Sequence, residues 1–263
     1  MRRDLHDALQ QALQTTRLGR RAVWHRQTDS TNTQALRAAQ QGAVHGFVVA
    51  ADSQTDGRGR FERQWEADAG LNVLFSVVLR PDLDTAHLGV VSLATALAVV
   101  EAIDAQSSAK AHVKWPNDVL IGEQKVCGLL IETTLSTTSR PTLVVGVGLN
   151  VNQTSFASPL PQATSLLLET GQHTDRVALL ACILDRMETH LDQLASVMGR
   201  QAVLQAYQSR LVHLHKRIAV YQRQFGAPVV GTCEGVGTSG ELLLRTHDGL
   251  HALHAGDVSL RPG

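Results

Sequence analysis

The stretch "GRGRFERQW", Gly57 to Trp65, carries the first residues whose types and spacing could do chemistry. Arg58, Arg60 and Arg63 offer planar guanidinium forks that can bracket a phosphate or a carboxylate through paired hydrogen bonds. Gly57 and Gly59 leave the segment free to close over whatever the arginines hold. The plainer alternative is a solvated loop with its arginines in water. The stretch begins like a dinucleotide fingerprint, but Glu62 replaces the third glycine, and such loops hold phosphate with backbone amides rather than interleaved arginines. The chain contains no Walker A sequence.

Lys114-Trp115-Pro116-Asn117-Asp118 displays a cation, an amide and a carboxylate within five residues. Pro116 restricts Trp115 to an extended backbone and ends the strand that leads to it. At such a strand end Lys114 and Asn117 could meet phosphate oxygens while Asp118 holds Mg2+. The same residues are also ordinary turn formers. Lys125 and Gly128 follow, and a glycine inside an apolar strand lets a ligand lie against the backbone. In a regular strand these two would face opposite sides, so joint contact needs a twist, a bulge or a lysine reaching around the strand end. Gly146-Val147-Gly148-Leu149-Asn150 repeats glycines near a strand end followed by an amide. His247, His251 and His254 are spaced like metal ligands, but no cysteine or acid completes the set.

These residues need a frame. "TNTQ" reads as a capping box with Thr31 as N-cap and Gln34 its partner, opening a helix that stops at Gly42. "GFVVAA" and "LNVLFSVVLRP" read as strands, and "LGVVSLATALAVVEAIDA" as a helix apolar nearly all round, hence buried against a sheet. "AHVKWPNDVLI" and "KVCGLLIETTL" form a hairpin about Gly122-Glu123-Gln124, and "PTLVVGVGLNVN" supplies a further strand. From Thr174 to Leu211 the pattern is helical. After Leu211 short strands alternate with glycines, as in a small β-barrel appended to an α/β body.

With 263 residues, 43% apolar and 18% charged, the chain is a globular protein with room for a sizeable core. Lys+Arg and Asp+Glu are both 24, so no global field favours nucleic acid or membrane, and anion binding must be local. Cys127, Cys182 and Cys233 are far apart and read as reduced thiols in a cytoplasmic protein. The basic N-terminus lacks the apolar core of a signal peptide and reads as a short surface helix. No run reads as long enough to cross a bilayer.

Taken together, "DSTN" (Asp29 to Asn32), "SQTDGRGR" (Ser53 to Arg60), "KWPNDVLIGEQKVCGLLIE" (Lys114 to Glu132), "GVGLN" (Gly146 to Asn150), "GELLL" and "GDVSLR" resemble the biotin protein ligases, in order and spacing, from about Trp24 to the C-terminus. The resemblance implies an α/β (α+β) catalytic domain related to class II aminoacyl-tRNA synthetases over 24–211. It implies an SH3-like β-barrel over 212–263, after an N-terminal extension of residues 1–23. It implies ATP-dependent adenylation of biotin and transfer to a lysine of a biotin carboxyl carrier domain of an acyl-CoA carboxylase. Mg2+ would act with ATP, and many family members form homodimers through sheet edges. Ser30, Thr31, Asn32, Gln54, Gly57, Arg58, Gly59, Arg60 and Gly128 would then enclose biotin and its adenylate. Lys125 would meet the biotin carboxylate and the α-phosphate, making Lys125, Arg58 and Arg60 the catalytic cations. Arg60, Trp65, Lys114, Asn117, Asp118 and Asn150 would lie on the ATP side, with Asp118 as the Mg2+ candidate.

Two departures stand out. Phe61-Glu62-Arg63 replaces the family's usual Arg-Gly-Arg and puts a negative charge near an anionic ligand. Only 23 residues precede Trp24, too few for the helix-turn-helix domain of the bifunctional members, so DNA binding is not expected. A lipoate–protein ligase is the nearest enzymatic rival, and a non-catalytic biotin-binding module the rival from another class.

Overall fold

The computed structural model describes residues 5–134, 141–156, 162–222, 228–254 and 258–262. In chain order the elements are α1 (Leu5–Ala12), β1 (Ala22–His25), α2 (Thr31–Gln40), β2 (Val48–Ala51), β3 (Val73–Leu79), α3 (Gly89–Gln106), β4 (Ala111–Lys114), β5 (Asp118–Ile121), β6 (Gln124–Thr134) and β7 (Thr142–Leu149). They continue with α4 (Leu166–Thr170), α5 (Arg176–Gln193), α6 (Val197–Ser209), β8 (Arg217–Gln222), β9 (Val229–Val236), β10 (Leu242–Thr246), β11 (Gly249–Leu253) and β12 (Val258–Pro262).

The first seven strands form a mixed sheet in the order β1-β2-β3-β7-β6-β5-β4. Only β1 and β2 run parallel; every other pairing in it is antiparallel. Strand alternation sorts the side chains between two faces. Val73, Phe75, Val77 and Leu79 of β3, with Leu129, Val145 and Val147, join one core that includes α3 and α5. The apolar α3 is enclosed on every side, as its sequence predicts. One expectation is corrected here. Thr85–Gln106, with mean hydropathy 1.8, is long and apolar enough to cross a bilayer, but the fold buries it between the sheet, α5 and α6.

The opposite face is only half covered. Against it α2 packs Ala35 on Val49, Val78 and Val144. Beside the first turn of α2, two ladder rows form the floor of a hollow. One reads Lys114, Asp118, Gly128, Gly148 and Leu74 across β4, β5, β6, β7 and β3. The next reads Leu130, Gly146 and Ser76 across β6, β7 and β3. Three glycines therefore meet on adjacent strands and leave the backbone bare.

The N-terminal helix is more than a surface decoration. Leu9 and Leu13 are buried, and Glu188 of α5 accepts the backbone N–H groups of Thr16, Arg17 and Leu18 at 2.6, 2.9 and 2.8 Å. The tail forms a second, antiparallel sheet in the order β11-β10-β9-β8-β12. It is tied to the main body where the buried Trp115 indole donates to the Gly240 carbonyl at 2.9 Å.

Candidate active site

The bare glycine platform is the floor of the site. Ser30, Thr31, Asn32, Gln54, Arg58, Gly59, Arg60, Trp65, Asn117, Lys125 and Gly128 line one cavity of about 50 Å³ together with Leu130, Gly146, Val147 and Gly148. All but the last four are sequence-predicted. Gly57 lines an adjoining space of about 540 Å³ on the far side of Trp65.

The start of α2 forms the back wall, and here the capping expectation is corrected. Ser30, not Thr31, is the N-cap residue, in extended conformation, and its side chain makes no capping bond. Gln34 instead donates to Asp29 Oδ1 at 2.8 Å. The Thr31 N–H donates to Gln54 Oε1 at 2.7 Å, and the Thr31 hydroxyl donates to the same oxygen at 3.1 Å. A distant glutamine thus does the capping work usually left to a local side chain. Burial pushes the Asp29 carboxyl up, but the Ser30 N–H, Gln34, Thr28 and Arg37 outweigh it and hold the group down to about 2.

Asn32 is fixed at both ends. Its Oδ1 accepts from Ser76 Oγ at 2.5 Å, and its Nδ2 donates to Glu132 Oε2 at 2.8 Å and to the Leu130 carbonyl at 3.3 Å. Ser76 Oγ also lies 2.8 Å from Thr31 Oγ1, within hydrogen-bond reach of that hydroxyl. The arrangement needs Gly146, because a Cβ there would fall on Asn32 Oδ1 and lie only 2.8 Å from its Cγ.

A bulge positions the lysine. On β5 the register advances one residue, from Val119 to Leu120, while on β6 it advances two, from Cys127 to Lys125. Val126 is the extra residue, and its insertion turns Lys125 onto the same face as Gly128. Of the three routes open in the sequence, the structure takes the bulge. Lys125 Nζ lies 2.7 Å from Asp118 Oδ1 and 3.1 Å from where a Gly128 Cβ would stand. It is 5.6 Å from the centre of the Trp65 ring. Burial pushes the thiol of neighbouring Cys127 far up, so it stays neutral.

The arginine loop folds back on itself over the floor. Gly59 N–H donates to Arg63 O at 2.7 Å and Trp65 N–H to Gly57 O at 2.8 Å, and Arg58 bridges Gln64. The glycines matter for close approach as well as freedom: a Cβ on Gly57 would collide with the Trp65 carbonyl. Trp65 lies flat over the floor, with Cε2 2.5 Å from where a Gly148 Cβ would stand. Arg58 Nη2 reaches Glu132 Oε2 at 2.9 Å, and Arg60 Nη1 reaches Asn117 Oδ1 at 2.9 Å. Phe61 takes a left-handed backbone, with φ of 59°, and its ring sits 4.7 Å below the Arg60 guanidinium. The Glu62 side chain lies outside the described residues.

Besides Gly57, three sequence-predicted residues do not line the cavity. Asp118 pairs with Lys125. Lys114 shares the open face but stands two strands from Gly128, about 10 Å at normal strand spacing. Asn150 is buried and ties the end of β7 to the chain at Thr164, whose carbonyl accepts from its Nδ2 at 2.9 Å. Sequence reasoning missed Ser76 and Glu132. Ser76 is a lone polar residue in an apolar strand, and Glu132 is a charged residue that closes an apolar run on the open-face parity.

The lining is chemically lopsided: three cations converge on a wall of neutral hydrogen-bonding groups over a backbone floor. Such a site suits a ligand with a polar neutral head and a strongly anionic end.

Comparison with known proteins agrees. Residues 24–152 match the Biotin/lipoate A/B protein ligase family, and residues 223–261 match the biotin protein ligase C terminal domain. The biotin–[acetyl-CoA-carboxylase] ligase of Mycobacterium tuberculosis is 35% identical over 237 residues, covering 88% of this chain and 86% of its own. The bifunctional ligase/repressor BirA of Bacillus subtilis is 30% identical over 255 residues, covering 94% and 76%. The Aquifex aeolicus biotin protein ligase, solved in complex with biotin and ATP, superposes with TM-score 0.80 at 29% identity, over 92% of this chain and 99% of that one. Motif order, fold and site geometry all lead to one assignment: this chain belongs to the biotin protein ligase family.

Proposed function

We propose that the chain is a biotin–[acetyl-CoA-carboxylase] ligase, joining biotin to one lysine of a biotin carboxyl carrier domain through biotinyl-5′-AMP. The observation that carries this reading is the convergence of Lys125, Arg58 and Arg60 on a glycine floor backed by Asn32, Thr31 and Gln54 in one cavity. A relative of 35% identity bears this activity in its name, and the Aquifex protein holds biotin and ATP in a closely similar fold.

In the first step a biotin carboxylate oxygen attacks the α-phosphorus of ATP, and the bond to the bridging oxygen of pyrophosphate breaks. Two anions must meet, so charge has to be neutralised where it builds. Lys125 stands over Gly128 and faces both the carboxylate and the α-phosphate. Arg58 and Arg60 bring further positive charge from the lid. Ser30, Thr31, Asn32 and Gln54 offer hydrogen-bonding groups to the uncharged head of biotin. Trp65 and Asn117 flank the nucleotide side, and Lys114 and Asn150 support it from outside the cavity.

Mg2+ arrives as part of the ATP substrate. Among the described residues no three acidic, histidine or cysteine side chains cluster as ligands, and Asp118 is engaged by Lys125. Mg2+ would be held by phosphate oxygens and water, with Asp118 as the carboxylate candidate, and would neutralise charge on the ATP phosphates.

In the second step the carrier lysine amine attacks the acyl carbonyl of the mixed anhydride, forms the amide and releases AMP. Holding the anhydride in place supplies most of that rate. The folded arginine loop shields the anhydride from water until the carrier arrives. Three free cysteines agree with a reducing, cytoplasmic setting. The edge strand β1, where Val23 is 40% exposed, is the edge through which two copies would pair.

The direct test is pyrophosphate release from Mg·ATP with biotin, lipoate or no acid at equal concentration. Biotin-dependent release is expected. Release with lipoate alone would move the chain to the sister activity, and binding of biotin without release would make it a binding module.

A further inference from the structure

Glu132 belongs to no motif role assigned above, yet it touches both halves of the site. It sits on β6 at the open-face parity of Gly128 and Leu130, with a side chain 26% exposed. One oxygen, Oε2, accepts from Asn32 Nδ2 at 2.8 Å and from Arg58 Nη2 at 2.9 Å. Asn32 forms part of the wall and Arg58 part of the lid. From this shared oxygen we infer that Glu132 is a positioning residue that couples the biotin wall to closure of the arginine loop. This rests on the biotin-adenylating reading given above.

The two bonds have different physical requirements. The Asn32 amide needs only an acceptor, because Ser76 already fixes its carbonyl end from the other side at 2.5 Å. Arg58 needs charge: its guanidinium emerges from a glycine-flanked loop and pairs with the Glu132 carboxylate at 2.9 Å. A carboxylate serves both at once. An amide of the same shape still offers an acceptor but leaves Arg58 without its counter-charge, and a methyl group serves neither.

Substitution therefore separates the tasks. Glu132→Gln is expected to leave the biotin KM within about twofold of wild type, since one neutral acceptor replaces another. The same variant should release preformed biotinyl-AMP about fivefold faster, the effect of losing a half-exposed ion pair. Glu132→Ala should add a biotin KM increase of about tenfold, as the Asn32 amide loses a charged partner. Arg58→Ala should leak at least as fast as Glu132→Gln, because it also removes a cation from the adenylate, and the double variant should be no leakier than Arg58→Ala alone.

The experiment measures biotin KM, kcat and the adenylate release rate for wild type and these four variants. Retention equal to wild type in Glu132→Gln, or additive leakage in the double variant, would overturn the coupling. An unchanged biotin KM in Glu132→Ala would overturn the Asn32 arm. Wild type without biotin-dependent pyrophosphate release would sink the underlying function instead, and the two failures are distinct.

Discussion

Replacing Gly146 with alanine tests the wall of the site with a single methyl group. The added Cβ would occupy the place of Asn32 Oδ1 and lie 2.8 Å from Cγ and 3.1 Å from Nδ2, so the whole amide must turn away. Asn32 then loses its bonds to Ser76 Oγ and Glu132 Oε2 and its longer one to the Leu130 carbonyl. Ser76 keeps Thr31 Oγ1 as a partner, so it is not stranded. Two good bonds at about 1 kcal/mol each give a loss of about 2 kcal/mol from the preorganised wall. That converts to a biotin KM raised about 30-fold. Stability should move little, because alanine is favoured over glycine inside a strand by about 0.5–1 kcal/mol, which offsets part of the rearrangement. The assay is a biotin titration of pyrophosphate release beside a thermal melt. A KM within twofold of wild type, with the melt unchanged, would show that Asn32 in this orientation does not read biotin.

Other perturbations address the cations and the N-terminal clasp. Lys125→Ala should slow adenylation about a thousandfold, because a preorganised charge is removed where charge builds; near-normal pyrophosphate release would refute its role. Arg60→Gly should let biotinyl-AMP escape at least about tenfold faster, as the lid loses the arm that reaches Asn117 at 2.9 Å; tight retention measured by filtration would refute the lid. Glu188→Ala should cost about 3 kcal/mol of stability, since three backbone N–H groups lose a charged acceptor. Burial pushes the Glu188 carboxyl up, but those N–H groups and the Thr16 hydroxyl outweigh it and hold it below the usual 4.5. The ionised form is thus favoured by folding, so its contribution is complete above pH 4.5 and fades as pH falls through the lower folded-state value. The melting temperatures of variant and wild type should differ at pH 7 and converge in acid; equal melts at pH 7 would remove the clasp.

Much of the site was legible because its chemistry is written in contiguous runs. Arg58 and Arg60 announce anion binding by type alone, and Gly128, Gly146 and Gly148 mark backbone that something must approach. What the runs could not reveal was register. Only strand pairing sets the three glycines side by side, and only the Val126 bulge brings Lys125 round to them, because a one-residue offset exchanges faces. Ser76 and Glu132 were invisible for a related reason: neither belongs to a polar run that announces a site, and the partners of each lie 44 or more positions away along the chain. The capping box misled because Gln54, 23 residues on, captured the Thr31 N–H that a local side chain would otherwise cap. Asn150 and Lys114 carry the right residue types, but burial in one case and strand separation in the other keep them from the cavity. The N-terminal helix looked peripheral because its clasp, Glu188, lies 170 residues or more beyond the amides it holds. The long helix α3 shows the opposite case. Uniform apolarity correctly placed it in the core, although length and composition alone would also have suited a membrane.

The most direct test of the account is mass spectrometry of a purified biotin carboxyl carrier domain after incubation with this protein, biotin and Mg·ATP. The expected result is one biotinyl amide on one lysine, dependent on ATP and absent when lipoate replaces biotin. A carrier domain left unmodified while biotin-dependent pyrophosphate accumulates, or one that gains a lipoyl group instead, would contradict it.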